Sequence, residues 1–371
     1  METLIFGILM GFLGVLIAGA VALCPTFSRG RKGCWTVFLC LSLIILYSRV
    51  SGHITDSVIR FINKCLPSFP IDIVYTWVNG SDPVFQQNMK RWLNNSSLKM
   101  GDSGNKARFI DHDELKYSLR SISENAPWIN RVYIVTNGQT PSWLNLHQNK
   151  IHLIRHDEII LQEALPTFNS DAIEANLHRI PGLREHFLFS NDDFFIHRPV
   201  TPLFFFTLTG KPKFRTGMEN IRAINWNRNR YTKSIMLASL LFENKYGTSL
   251  VFEPAHTTIP YLKSDYNSCV TIFNDWFNIS TFSKFRSDGC PHRSIIAYYS
   301  LHLHHAMRIS KARSNALYVA LQPQQEIRRK IDREHPTLLC INDVPSSKDS
   351  DRDELKTLLS DLYPVKSEYE V

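Results

Sequence analysis

The sequence predicts an α/β fold: a doubly wound, mainly parallel sheet with a helical C-terminal part, preceded by one or two transmembrane helices. Three observations predict it. Apolar, β-branched runs alternate with segments of helical period at the lengths that βαβ units require. Two of those runs stop abruptly in polar clusters, Asn79-Gly80-Ser81-Asp82 and Asn191-Asp192-Asp193, and residues 1–50 carry two long apolar stretches.

Leu4 to Leu23 is an almost unbroken apolar run of about the 20 residues a membrane span takes, and Cys34 to Tyr47 is a second, shorter one. Arg29-Gly30-Arg31-Lys32 lies between them. If both runs cross a bilayer, this basic loop faces the cytosol and everything after Val50 faces the lumen or the outside. A cleaved signal peptide competes for the first run, although Met1-Glu2 offers no basic start. On this reading residues 1–66 are a membrane anchor and linker, 67–345 a globular domain and 346–371 a polar tail. The expected location is the Golgi or another secretory-pathway membrane. Sequons at Asn94, Asn95 and Asn278 agree with a lumenal surface.

In the globular part, Ile71 to Val78 is β-branched and aromatic and stops at Asn79-Gly80, as a buried strand ending in a tight turn does. Pro83 opens a helix to about Leu93, and the polar stretch Asn94 to Lys106 reads as a loop. Asp111-His112-Asp113-Glu114 has the form of a capping box, and Leu115, Leu119 and Ile122 recur at helical spacing, so a helix is expected to about Asn125. Arg131 to Thr136 and Ile151 to Ile154 are the next strands. Asn169-Ser170 caps a helix to about His178, with Asp171 and Glu174 in its first turn, and Pro181-Gly182 ends it. His186 to Phe189 is a strand that runs into Ser190-Asn191-Asp192-Asp193.

In such sheets ligands sit beyond the carboxyl ends of the strands, which is where both polar clusters fall. Asn191, Asp192 and Asp193 supply hard oxygens of the kind a diphosphate-bound Mg²⁺ or Mn²⁺ takes, and the apolar residues on either side leave solubility a poor explanation for them. At the other turn two readings stand level. Asn79-Gly80-Ser81-Asp82 is a strand-ending turn chosen for its backbone angles, or Gly80 admits a phosphate or ribose while Trp77 or Asp82 touches a nucleotide. Asn169 and Ser170 at a helix N-terminus could donate to a phosphate oxygen. The net charge of +8 suits an anionic partner, and the chain lacks the zinc-finger spacing, ribonucleoprotein motif and long basic run of a nucleic-acid binder. Cys269 and Cys290 are open to a disulfide or to free buried thiols, and no Cys spacing suggests zinc. His302, His304 and His305 read as a packed or solvated helix rather than a metal site.

Ile71 to Pro83 resembles the first conserved region of the Stealth proteins. These include bacterial capsule hexose-1-phosphate transferases and the catalytic subunit of the lysosomal-enzyme N-acetylglucosamine-1-phosphotransferase. The second region resembles this chain through Asp111 to Arg120, Ala126-Pro127-Trp128-Ile129, Val135 to Gln139, Leu165 to Ser170, Leu177 to Leu183 and Asn191 to Phe195. Pro254-Ala255-His256 is similar to the third region and Cys340-Ile341-Asn342-Asp343 to the fourth, with Arg313-Ser314-Asn315 before it. The family's second histidine near His256 is replaced by Thr257-Thr258-Ile259-Pro260.

The resemblance implies that residues 67–345 are a sugar-phosphate transferase domain. A nucleotide sugar, UDP-linked, would give its sugar-1-phosphate to a hydroxyl of an acceptor glycan or polysaccharide and release UMP. Catalytic roles then fall to Asp192, Asp193, His256, Arg313 and Asp343: the aspartates on the metal diphosphate, Arg313 on phosphate oxygens, His256 or Asp343 on the acceptor proton. Trp77, Asn79, Gly80, Asp82, Asn169 and Ser170 would line the nucleotide. The rival readings are a metal-dependent glycosyltransferase that attacks the sugar carbon and a non-catalytic glycan or nucleotide receptor.

Overall fold

The structure, a computed structural model, describes residues 69–94, 110–223, 225 and 230–371. In chain order its main elements are β1 (Ile71–Thr76), α1 (Pro83–Asn94), α2 (Glu114–Asn125), β2 (Val132–Thr136), β3 (Ile151–Arg155), α3 (Ser170–Ala175), β4 (His186–Asn191) and β5 (Phe194–Ile196). They continue with β6 (Lys213–Met218), α4 (Arg230–Tyr246), β7 (Glu253–Pro254), β8 (Ile259–Leu262), α5 (Lys263–Ile272), α6 (Asn274–Phe282) and α7 (Ser294–His302). Last come β9 (Met307–Ile309), β10 (Ala316–Ala320), α8 (Gln324–Glu334), β11 (Leu338–Asn342) and α9 (Asp349–Leu362).

The main sheet runs β3-β2-β1-β4-β8, parallel through the first four strands and antiparallel at β8. Alternate residues of these strands enter separate cores, as the period of two requires. Val74, Tyr133, Phe187 and Phe189 pack with α4, α5 and α7 on one face, while Ile73, Tyr75, Ile134 and Leu188 pack with Leu115, Leu119 and Ile122 of α2 on the other. Both faces are therefore covered, which is why the strands read as continuous apolar runs. Asp72 interrupts its run at no cost in unmet polarity: it is fully buried, accepting from Asn130 Nδ2 at 2.7 Å and from the Arg184 N–H at 2.9 Å.

The expected fold class needs two corrections. Among the described residues no helix is long and apolar enough to cross a membrane, so the anticipated transmembrane helices and membrane partner are not found. The runs that suggested them, Leu4 to Leu23 and Cys34 to Tyr47, lie outside the described residues. The C-terminal part is also not simply helical. β10 and β11 are parallel, β11 pairs antiparallel with β5, and a third sheet runs β7-β6-β9. Single short strands without alternation, such as Met307–Ile309, leave little signal in a sequence. The expected polar tail carries α9, whose Leu355, Leu358 and Leu359 are buried, and ends with Tyr369 in the α2-side core.

His156 and His178 are buried, and burial pushes both imidazoles down to about 4, helped at His178 by Arg179 and Lys263. The unfolded chain takes up those protons near 6.5, so the stability they carry is complete above that value and is lost as pH falls towards 4. Urea unfolding at about pH 7 and about pH 4.5 is expected to give a clearly lower midpoint in acid. Replacing His156 and His178 by Gln is expected to reduce that difference.

Candidate active site

Thr76 and Asn191 are register partners at the carboxyl ends of β1 and β4, and Thr76 Oγ1 donates to Asn191 Oδ1 at 3.4 Å. Asp192 and Asp193 follow, before β5 turns back along β11. The start of α2 adds two more carboxylates, because the expected capping box does not form. Asp113 is left-handed, with φ of 67°, and its carboxylate makes no cap bond. It pairs instead with Lys116 at 3.1 Å and Lys356 at 2.6 Å, which outweigh burial and hold it below its usual range. Asp111 Oδ1 accepts the Asp113 N–H, and Glu114 reaches back to the His112 N–H and is buried.

Asp111, Glu114, Asp192 and Asp193 thus share one edge, and their electrostatics report the crowding. Burial raises Glu114 and Asp192 well above the carboxylate range, with Asp111 acting on both, Asp192 on Glu114, and Asp193 on Asp192. Burial lifts Asp193 to about 6, against the hydrogen bonds that Cys340 and Asn342 give it. Asn342 Nδ2 donates to Asp193 Oδ2 at 3.0 Å and the Cys340 thiol at 3.6 Å, while Asp193 Oδ1 is buried with no partner.

That unmet oxygen and the mutual repulsion fit a cation. No group of three His, Cys, Asp or Glu among the described residues is arranged to hold one alone. Asp192 and Asp193 could supply two oxygens to a hard divalent ion whose remaining ligands come from phosphate and water, which is how Mg²⁺ is ordinarily held.

Opposite this acidic edge is a basic cluster organised by α3, the short helix of sequence Ser170-Asp171-Ala172-Ile173-Glu174-Ala175. Ser170 Oγ accepts from Arg286 Nε at 3.0 Å, Asp171 pairs with Arg230, and Glu174 pairs with Arg293 at 2.9 Å. Arg293 and Glu174 are both buried, and the guanidinium lies 5.4 Å from the Phe189 ring centre. His256 stands between the two groups, edge-on to Phe194 at 5.1 Å and to Tyr318 at 5.5 Å. Burial, with Arg293 and Arg286, pushes its imidazole down to about 3, so it is neutral at physiological pH. Arg293 also acts on Asp193, lowering it, which ties the two groups together.

The other anticipated residues have structural duties. Trp77 is buried and donates to Asp111 Oδ2 at 3.2 Å. Asn79 is clamped by Gln139 through its own N–H at 2.8 Å and carbonyl at 3.0 Å, Gly80 accepts from Gln86, and Asp82 caps α1 by accepting the Phe85 N–H at 2.7 Å. Asn169 caps α3 and donates to the Ser280 and Ser283 carbonyls, leaving nothing for a phosphate. Asp343 is held by Arg352 through both oxygens, at 2.8 and 3.0 Å. Arg313 is exposed, on a turn before β10. Cys269 and Cys290 are free buried thiols, so the disulfide alternative is closed. His302 packs on Tyr246 and His305 bonds Asp265, with no metal grouping.

Sequence reading missed Arg230, Arg286 and Arg293. They sit on separate stretches with no shared spacing, and the only hint was the polar face of α3, which helix-dipole arguments already explained.

A mainly parallel α/β sheet whose acidic strand edge is coupled to the buried Arg293 has the make-up of a site for a phosphorylated ligand. The model for Stealth protein conserved region 1 matches residues 69–97, and that for conserved region 2 matches residues 108–214. An exopolysaccharide phosphotransferase of Streptomyces coelicolor is 36% identical over 81% of this chain, which spans 52% of that protein's length. The capsular polysaccharide phosphotransferase LcbA of Aeromonas hydrophila is 33% identical over 80% of this chain and 84% of its own. The exopolysaccharide phosphotransferase cps2G of Lactiplantibacillus plantarum is 31% identical over 81% and 96%. The chain belongs to the Stealth family. Among solved structures the galactosyltransferase LgtC aligns at 9% identity with a TM-score of 0.40, over 79% of this chain and 95% of that one, too distant a likeness to carry an argument.

Proposed function

We propose that this chain transfers a sugar-1-phosphate from a nucleotide sugar, UDP-linked, to a hydroxyl of an acceptor glycan, forming a phosphodiester and releasing UMP. The observation that carries this reading is the meeting of the Asp192-Asp193 edge with Arg286, Arg293 and His256, a setting for displacement at phosphorus. Such a reaction needs charge neutralisation, alignment and a base rather than covalent help.

In this scheme Asp192 and Asp193 would hold Mg²⁺ or Mn²⁺ against the diphosphate, and the metal would neutralise phosphate charge when bound. Arg286 and Arg293 face the phosphate oxygens, and the Asn79-Gly80 turn walls the nucleotide. The acceptor oxygen attacks the phosphorus next to the sugar, the bond from that phosphorus to the bridging oxygen breaks, and UMP leaves with the electron pair. His256 takes the acceptor proton. Asp343 is the weaker choice of base, because Arg352 occupies both its oxygens. His256 gains from the donor itself: phosphate charge offsets Arg286 and Arg293, and the ring's proton affinity rises when the base is needed.

The test is the nucleotide product. Purified protein incubated with UDP-sugars, Mn²⁺ and a glycan acceptor is expected to release UMP on ion-exchange chromatography. Release of UDP in its place overturns the reading.

A further inference from the structure

His292, one residue before Arg293, has no part in the scheme above. Its Nδ1 accepts the Ser294 backbone N–H at 3.2 Å, and a backbone N–H can only donate, so the ring proton sits on Nε2. Nε2 is buried and has no partner among the described residues. A buried donor left unmet is uncommon in native folds and asks for an acceptor. Tyr231 holds the ring edge-on at 5.4 Å, and Tyr231 stands in turn edge-on to His256 at 6.0 Å.

The surroundings say what kind of acceptor fits. Burial first, then Arg293, His256 and Arg230, keep the imidazole neutral, so cationic and donor groups converge on it. Ser170 bonds Arg286, Asp171 pairs with Arg230 and Glu174 pairs with Arg293, so three guanidinium groups gather on the short helix beside this ring. An anion with several oxygens meets both the charge and the open N–H.

We propose that His292 donates from Nε2 to a phosphate oxygen of the sugar nucleotide, as a fixed donor next to Arg293. The name of the ligand rests on the phosphotransfer reading; the anion site does not. The experiment uses the full chain as wild type, His292→Ala and His292→Gln, with inorganic pyrophosphate, without added metal, as the probe. Loss of one hydrogen bond to a charged oxygen is expected to weaken pyrophosphate binding in the Ala variant about 10- to 100-fold. The KM for the nucleotide sugar rises by a similar factor while the KM for the acceptor stays put. Gln, whose Nε2 amide donates at similar reach, is expected to recover most of the loss.

Equal pyrophosphate affinity in wild type and the Ala variant overturns the proposal. So does a Gln variant no better than Ala when both melt like wild type. If the Ala variant fails to fold, the Gln variant decides, by keeping or losing pyrophosphate affinity. Should the wild type release UDP instead of UMP, the reaction assigned above fails, while the pyrophosphate comparison still decides the role of His292.

Discussion

Asp193→Asn is expected to lower transfer about a thousandfold or more in a protein at least as stable as the wild type. The amide keeps an acceptor oxygen for Asn342, which holds Asp193 Oδ2 at 3.0 Å, but it removes the charge that the site needs. It also removes a like charge from a crowded edge. Burial and neighbouring carboxylates already raise Asp192 and Glu114 well above their usual range, so the native protein carries repulsion that the variant relieves. Initial rates and thermal melts on the same preparation check both halves. Activity within tenfold of the wild type takes Asp193 out of the site.

Arg293→Met is expected to destabilise the fold by about 3–5 kcal/mol, because it strands the buried Glu174 carboxylate without its partner. The double variant Glu174→Gln with Arg293→Met leaves no buried charge at that pair and is expected to recover a large part of the loss. Its activity, however, is expected to stay low, since Arg293 also faces the phosphate side of the site in the proposed scheme. Denaturant unfolding separates the two effects. A single variant within about 1 kcal/mol of wild type would mean that Glu174 finds another partner or water.

Much of the frame could be read from the residues alone. The strands Ile71 to Thr76 and Val132 to Thr136 are largely apolar because α/β packing covers both faces of the sheet, and the start and end of the second helix, Glu114 to Asn125, follow its apolar spacing. The acidic edge was legible for the same reason: Asp192 and Asp193 interrupt an apolar run where a strand must end. What the sequence could not display was the assembly of the basic side. Arg230, Arg286 and Arg293 are drawn together by the short helix Ser170–Ala175, through contacts spanning more than fifty residues of chain. Local pattern likewise misassigned Asp111 to Glu114, because a left-handed Asp113 turns a capping signature into a pair of inward carboxylates. Asp343, which the resemblance offered as a base, is held by Arg352 on the last helix, a partner that no local pattern announces.

The central claim concerns which bond breaks, and a donor labelled in the phosphate next to the sugar reads that directly. After incubation with a glycan acceptor and Mn²⁺, transfer of sugar-1-phosphate predicts label in the acceptor as a phosphodiester and unlabelled UMP in solution. Label retained in UDP, with an unlabelled glycoside on the acceptor, would contradict it.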